Sequence, residues 1–75
     1  MFAWAVKEWV DPKFVAGRDG FATVDEALED FNKSHWVGSS RPKYIAEDSK
    51  VVFEITSSGL VPSLKDLTVK LPKFK

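Results

Sequence analysis

Four carboxylates lie close together in one short stretch of the chain, and a spacing of this kind could support acid–base catalysis. They are Asp25, Glu26, Glu29 and Asp30. Two carboxylates in different surroundings can act as general acid and general base. This spacing, however, places all four on the outer face of one helix, where solvent keeps carboxylates ordinary. The pattern favours a solvated acidic face, and an acidic docking surface is the alternative.

The chain has one histidine, His35, and no cysteine, so a metal site would need carboxylates for every other ligand. We expect His35 on the last turn of the helix, at the negative helix end or the rim of the core. The loop 38–41 leaves a helix C-terminus, where the dipole disfavours phosphate. The sequence therefore predicts a protein that is not an enzyme, with no metal and no cofactor.

Tryptophan offers a second route to function, because exposed tryptophans either cover the rim of a small core or anchor a partner. Trp4 is expected in the core, Trp9 on the opposite strand face, and Trp36 just after the helix. Together with the carboxylates they give the predicted partner-binding residues: Trp9, Asp25, Glu26, Glu29, Asp30 and Trp36.

A helix must position most of these residues. Thr23 and Glu26 form a capping box at its start. One apolar stripe follows at helical spacing: Val24, Ala27, Leu28, Phe31 and His35. Gly38 suits the left-handed position after the helix end.

The segment before the helix predicts a hairpin. From Phe2 to Val10 the alternation predicts a strand with one strongly apolar face. That face carries Phe2, Trp4, Val6 and Val10, and the other carries Ala3, Ala5, Lys7 and Trp9. Asp11-Pro12 is typical of a turn, and a shorter strand returns over 13–18. Asp19-Gly20 then closes this strand and leads into the helix.

After the helix, two strands are predicted over 43–47 and 50–56, with Asp48-Ser49 as a tight turn and Glu47 opposite Lys50. Residues 60–66 leave two alternatives: Ser63 caps a single helical turn with Asp66 at its third position, or the segment is a loop with Leu60 and Leu64 beneath it. A last strand contains Leu67, Val69 and Leu71 and ends at Pro72. The order β-β-α-β-β-β predicts one α+β domain over 1–75, a small antiparallel sheet with one helix across one face.

The charges balance overall but not locally. Eleven basic and eleven acidic residues give zero net charge, yet residues 1–30 carry three basic and seven acidic side chains. Residues 65–75 carry four lysines against one aspartate. The N-terminus has neither a signal-peptide pattern nor a membrane span, so a cytoplasmic location with no membrane partner is expected.

Residues 4–31 resemble the plant ethylene-response-factor DNA-binding domain, in which a W-A strand and a D-P turn precede a G-x-F-x-T-x-x-E-A-A helix start. The matching residues are Trp4-Ala5, Asp11-Pro12, Gly20-Phe21, Thr23 and Glu26-Ala27. The resemblance implies DNA binding through basic residues on the sheet, here only Lys7, Lys13 and Arg18. Gly20 and Phe21 are adjacent, and the third strand has no room, so the chain is not assigned to that family.

In size and in its lack of cofactor motifs, the chain is similar to small phage-encoded accessory proteins, including anti-CRISPR and other host-inhibiting proteins. The first functional hypothesis is therefore a non-catalytic protein-binding module, of a phage- or mobile-element-type inhibitor class, acting as a monomer or homodimer. One alternative is a nucleic-acid binder that uses the sheet residues above or the C-terminal lysines, Lys65, Lys70, Lys73 and Lys75. The other is a structural homo-oligomer that pairs through an edge strand.

Overall fold

The computed structural model describes residues 1–10, 13–63 and 67–69. Its elements are β1 (Phe2–Lys7), β2 (Phe14–Phe21), α1 (Val24–Asn32), a 3₁₀ helix (His35–Gly38), β3 (Lys43–Glu47), β4 (Lys50–Thr56) and β5 (Gly59–Pro62). The five strands form one antiparallel sheet in the order β2-β1-β3-β4-β5, and α1 packs across one face. The predicted α+β class and element order are confirmed. None of the described helices is long and apolar enough to cross a membrane.

The helix-covered face holds the larger of two apolar clusters. Its buried members are Trp4, Val6, Ala16, Ala27, Phe31 and Ile45. Phe31 and Ala27 come from the predicted stripe of α1, and the Phe31 ring meets the Trp4 ring edge-on with centroids 5.4 Å apart. Val24 and Leu28 pack at the margin of this cluster and are partly buried. Apolar burial along one helix stripe is therefore what fixes α1 to the sheet.

The opposite face of the sheet is also covered, which the sequence did not reveal. Its buried cluster consists of Ala5, Phe14, Tyr44, Ala46, Val51 and Val69. Lys7 is buried as well, and its Nζ donates to the Glu8 carbonyl oxygen at 3.2 Å. The prediction of one apolar strand face in β1 was too narrow, because Val69, from beyond β5, packs on the second face.

The β1–β2 hairpin differs from its predicted bounds at both ends. β1 stops at Lys7, so Trp9 and Val10 lie beyond it, 62% and 70% exposed. β2 continues through Asp19 and Gly20 to Phe21, whereas the sequence predicted a break there. A bulge makes the continuation possible: Asp19 and Gly20 oppose a single β1 residue, and Gly20 adopts φ +91°. The predicted Asp11-Pro12 turn lies outside the described residues.

The β3–β4 hairpin matches its prediction in the bounds of both strands and in its turn. Asp48 and Ser49 adopt φ values of 50° and 73°, the pair of positive values that a type I′ turn needs. Glu47 and Lys50 are paired across the strands as expected. The terminal ammonium of Met1 lies 2.6 Å from Asp48 Oδ1, and hydrogen bonding to that carboxylate raises the pKa of the ammonium.

The last part of the chain contains a strand that the sequence left ambiguous. Residues 59–62 form β5, which pairs with β4 through Ile55 opposite Leu60, so residues 60–62 are a strand and not a loop. The helical turn that Ser63 could cap falls on residues outside the described ones. Of the strand predicted from Leu67, the structure describes residues 67–69, where Thr68 forms a bridge with Lys50 and the Val69 N–H donates to the Ser49 carbonyl. Residues 64–66 and 70–75, including Leu71 and Pro72, lie outside the described residues.

Candidate binding groove

The start of α1 follows the predicted capping chemistry. Thr23 has an extended backbone and its hydroxyl oxygen accepts the Glu26 N–H at 3.1 Å. The Glu26 carboxylate reaches back to the Ala22 N–H at 3.2 Å, one residue before the usual position. Both contacts are local, which explains why the sequence predicted the helix start correctly.

The end of α1 comes earlier than predicted, and this moves His35 off the helix. The Ser34 hydroxyl donates to the Phe31 carbonyl at 2.7 Å and accepts the Trp36 N–H at 3.3 Å. Ser34 thereby closes α1 and caps the 3₁₀ helix that follows. His35 is exposed at the start of that second helix, so its predicted place on the last turn of α1 is wrong.

Asp30 also differs from its prediction, because it faces the sheet and not the solvent. Its Oδ2 accepts the indole N–H of buried Trp4 at 2.8 Å. Its Oδ1 lies 3.4 Å from a guanidinium nitrogen of Arg18 on β2. A single carboxylate therefore joins α1 to both β1 and β2, and it satisfies a polar group that burial would otherwise leave unpaired.

A cavity of about 440 Å³ opens beside this contact, between β2 and the junction of the two helices. We call it the groove, and its lining residues are Trp4, Ala16, Gly17, Arg18, Asp30, Lys33, Ser34, His35 and Trp36. Its volume lies within the range typical of small-ligand sites, about 300–1,000 Å³. The groove brings together residues from three separate parts of the chain.

The groove combines positive charge with aromatic surface. Arg18 and Lys33 side chains are 68% and 75% exposed at its rim. The rings of His35 and Trp36 lie 5.1 Å apart at a tilt of 34°, and Trp36 is half-buried against the helix-covered cluster. Such a surface can bind an anionic or polarised group through the cations and an apolar group through the indole.

The other three helix carboxylates are not among the residues that line the groove. Asp25, Glu26 and Glu29 are exposed, and Glu29 forms an i,i+4 pair with Lys33 at 3.4 Å in which both side chains are 75% exposed. Exposed pairs of this kind contribute little to stability. These residues make an acidic outer face, defined here as Asp25, Glu26 and Glu29.

Trp9 lies in a different neighbourhood from Trp36. Its backbone N–H donates to Glu8 Oε1 at 3.1 Å, and Arg41 Nε donates to the same oxygen at 3.2 Å. The hydrogen bond from the Trp9 amide has the largest effect on the Glu8 carboxyl and lowers its pKa, and the bond from Arg41 lowers it further. Among the described residues, no ring contact joins Trp9 to Trp36. The two predicted aromatic residues therefore form separate patches.

The basic residues considered for nucleic-acid binding are also scattered. Lys7 is buried, whereas Lys13 and Arg18 are exposed on opposite ends of the β1–β2 hairpin. Lys65, Lys70, Lys73 and Lys75 lie outside the described residues. Lys43, the first residue of β3, donates from Nζ to the carbonyl oxygens of Ser39 and Arg41 in the loop before it. Within residues 1–10, 13–63 and 67–69, no three side chains cluster as a metal site would require.

Sequence reasoning named Asp30 and Trp36 but missed Arg18 and Lys33 as their neighbours. Asp30 and Lys33 are three residues apart on or next to one helix, and this spacing alone could have indicated that they are neighbours in the groove. The place of Arg18 depends on the β2 register, which the bulge at Val15 shifts before the chain reaches Arg18. Comparisons with known protein families, with curated proteins and with solved structures find no match for this chain.

Proposed function

We propose that this chain is a non-catalytic protein-binding module that docks on a partner through the groove. The observation that carries the proposal is the placing of half-buried Trp36 beside the exposed cations Arg18 and Lys33. Tryptophan and arginine are the residues that most often dominate the binding energy of protein interfaces. An inhibitor of the phage or mobile-element type, which acts by occupying a partner's surface, is one form of this function.

The internal bonding of the groove supports binding over catalysis. Both oxygens of Asp30 already have partners, Trp4 and Arg18, so this carboxylate is held in a structural contact. A general base needs access to the proton it removes. The acidic outer face, by contrast, is free to steer encounter with a basic partner surface, since exposed charges act mainly on association rates.

Each alternative function has less support. A nucleic-acid strand near the groove would also approach the acidic outer face, which repels phosphates. Edge-to-edge oligomers are disfavoured at β2, where bulges interrupt the register at Val15 and at 19–20. The other edge strand, β5, has four residues and ends in Pro62, which has no N–H to donate.

The proposal is tested by affinity capture from nuclease-treated lysate of the source organism. The baits are the wild type, the groove variant R18Q/K33Q, and the matched variant K13Q/K50Q, which removes two exposed lysines elsewhere. We expect one protein retained by the wild type and by K13Q/K50Q, and depleted at least tenfold with R18Q/K33Q. Equal retention by all three baits would contradict docking through the groove. Binding seen in untreated lysate and lost after nuclease treatment would favour the nucleic-acid alternative.

A further inference from the structure

We infer that the groove recognises an acidic side chain of a protein partner, seated between Arg18 and Lys33, with an apolar neighbour of that side chain against Trp36. The inference rests on the proposed function and adds the chemistry of the partner. Among the described residues that line the groove are two cations, Arg18 and Lys33, and one carboxylate, Asp30.

Asp30 does not occupy all the hydrogen-bond donors of the two cations. Asp30 directs Oδ2 to the Trp4 indole at 2.8 Å, which leaves Oδ1 for Arg18 at a long 3.4 Å. A guanidinium has five N–H donors in a planar fork that matches a carboxylate. Arg18, 68% exposed, therefore keeps donors for an incoming acid.

Lys33 is similarly available. Its contact with Glu29 is 3.4 Å long and both side chains are 75% exposed, so the pair is weak and screened by water. Lys33 and Arg18 both line the groove, one from the end of α1 and one from β2. A carboxylate placed between them would gain two charge-assisted hydrogen bonds without breaking a strong internal pair.

The aromatic wall and the surrounding charge restrict the occupant further. Trp36 offers an indole surface in the same cavity, so an apolar residue next to the acid has a place to bind. The acidic outer face reaches Lys33, the residue that follows α1, through Glu29, and it repels a continuous polyanion more than a single carboxylate. Bulged β2 disfavours backbone pairing, so recognition depends on side chains.

The experiment is an NMR titration of the ¹⁵N-labelled protein with a blocked pentapeptide of alternating glutamate and leucine. The matched probe replaces each glutamate with glutamine, which keeps shape and removes charge. We expect the glutamate peptide to shift the amide signals of Arg18 and Lys33 and the Trp36 indole signal. The glutamine peptide should bind at least tenfold more weakly, as should the glutamate peptide to R18Q/K33Q, while K13Q/K50Q should match the wild type.

Several results would overturn the inference. Equal binding of the two peptides would show that the cations do not select for acid, and shifts confined to residues outside the groove would place the site elsewhere. Inorganic phosphate or a mixed-sequence RNA hexamer that shifts the groove signals when the glutamate peptide does not would assign the cations to phosphate. If the peptide fails while lysate capture still depends on Arg18 and Lys33, the acidic partner is wrong and the protein-binding function stands.

Discussion

Helix α1 carries four carboxylates of similar spacing, and the structure divides them between two regions. On the acidic outer face, Glu26 contacts Ala22 and Glu29 contacts Lys33, and each partner is only four residues away in sequence. In the groove, Asp30 contacts Trp4, which is 26 residues away in sequence. Glu26 and Asp30 are one helical turn apart, so spacing alone does not separate them. The position of the sheet decides which carboxylate fixes the fold and which only carries surface charge.

The largest effect should come from removing the buried side chain of α1 that packs against Trp4, a residue of the groove lining. Phe31 is 1% exposed and packs edge-on against Trp4, so Phe31→Ala should destabilise the protein by about 3–5 kcal/mol. Leu28→Ala should cost less, because Leu28 is only partly buried. Urea unfolding followed by tryptophan fluorescence measures both. A loss below about 1 kcal/mol for Phe31→Ala would mean that this helix face does not hold the core.

Substituting one carboxylate from each region tests the comparison itself. Asp30→Ala leaves the buried Trp4 indole N–H without its acceptor and should cost about 1–3 kcal/mol. Asp30→Asn keeps an acceptor oxygen and should cost less. Glu29→Ala on the acidic outer face should stay within about 0.5 kcal/mol of the wild type. Equal free energies of unfolding for Asp30→Ala and Glu29→Ala would show that the two regions do not differ.

The helix start provides an intermediate case, a local contact with a structural role. Thr23→Ala removes the acceptor for the Glu26 N–H and should cost about 1 kcal/mol. Thr23→Ser keeps the hydroxyl and serves as the control. Thermal unfolding followed by circular dichroism gives the comparison, and an unchanged melting temperature for Thr23→Ala would place the helix start elsewhere.

The smallest effect is expected for the exposed pair between Glu29 and Lys33. A double-mutant cycle with alanine at both positions should give a coupling of about 0.3–0.5 kcal/mol that declines as salt is raised. A coupling above about 1 kcal/mol, or one insensitive to salt, would mean that Lys33 is held firmly by Glu29. In that case Lys33 would be less available to a partner than the groove proposal requires.

The parts that the sequence predicted well are those governed by local contacts. The capping box at Thr23 and the turn at Asp48-Ser49 each depend on residues within a few positions of one another. The features that the sequence did not predict depend on contacts between residues far apart in the chain. Asp30 turns inward because Trp4 lies beneath it, and Lys7 is buried because later residues cover the second sheet face. Predicting the groove would have required the register of β2, which a bulge shifts by one residue.

The most direct test of the central claim compares the two regions by surface plasmon resonance, with the partner obtained by lysate capture. The groove variant is R18Q/K33Q, and the outer-face variant is E26K/E29K. Trp9→Ala tests a third surface, because removing Trp9 would speed dissociation if its side chain anchored the partner. We expect R18Q/K33Q to weaken binding at least tenfold, E26K/E29K to change mainly the association rate, and Trp9→Ala to bind as the wild type. Unchanged binding by R18Q/K33Q, with binding abolished by E26K/E29K or by Trp9→Ala, would contradict the groove as the docking surface.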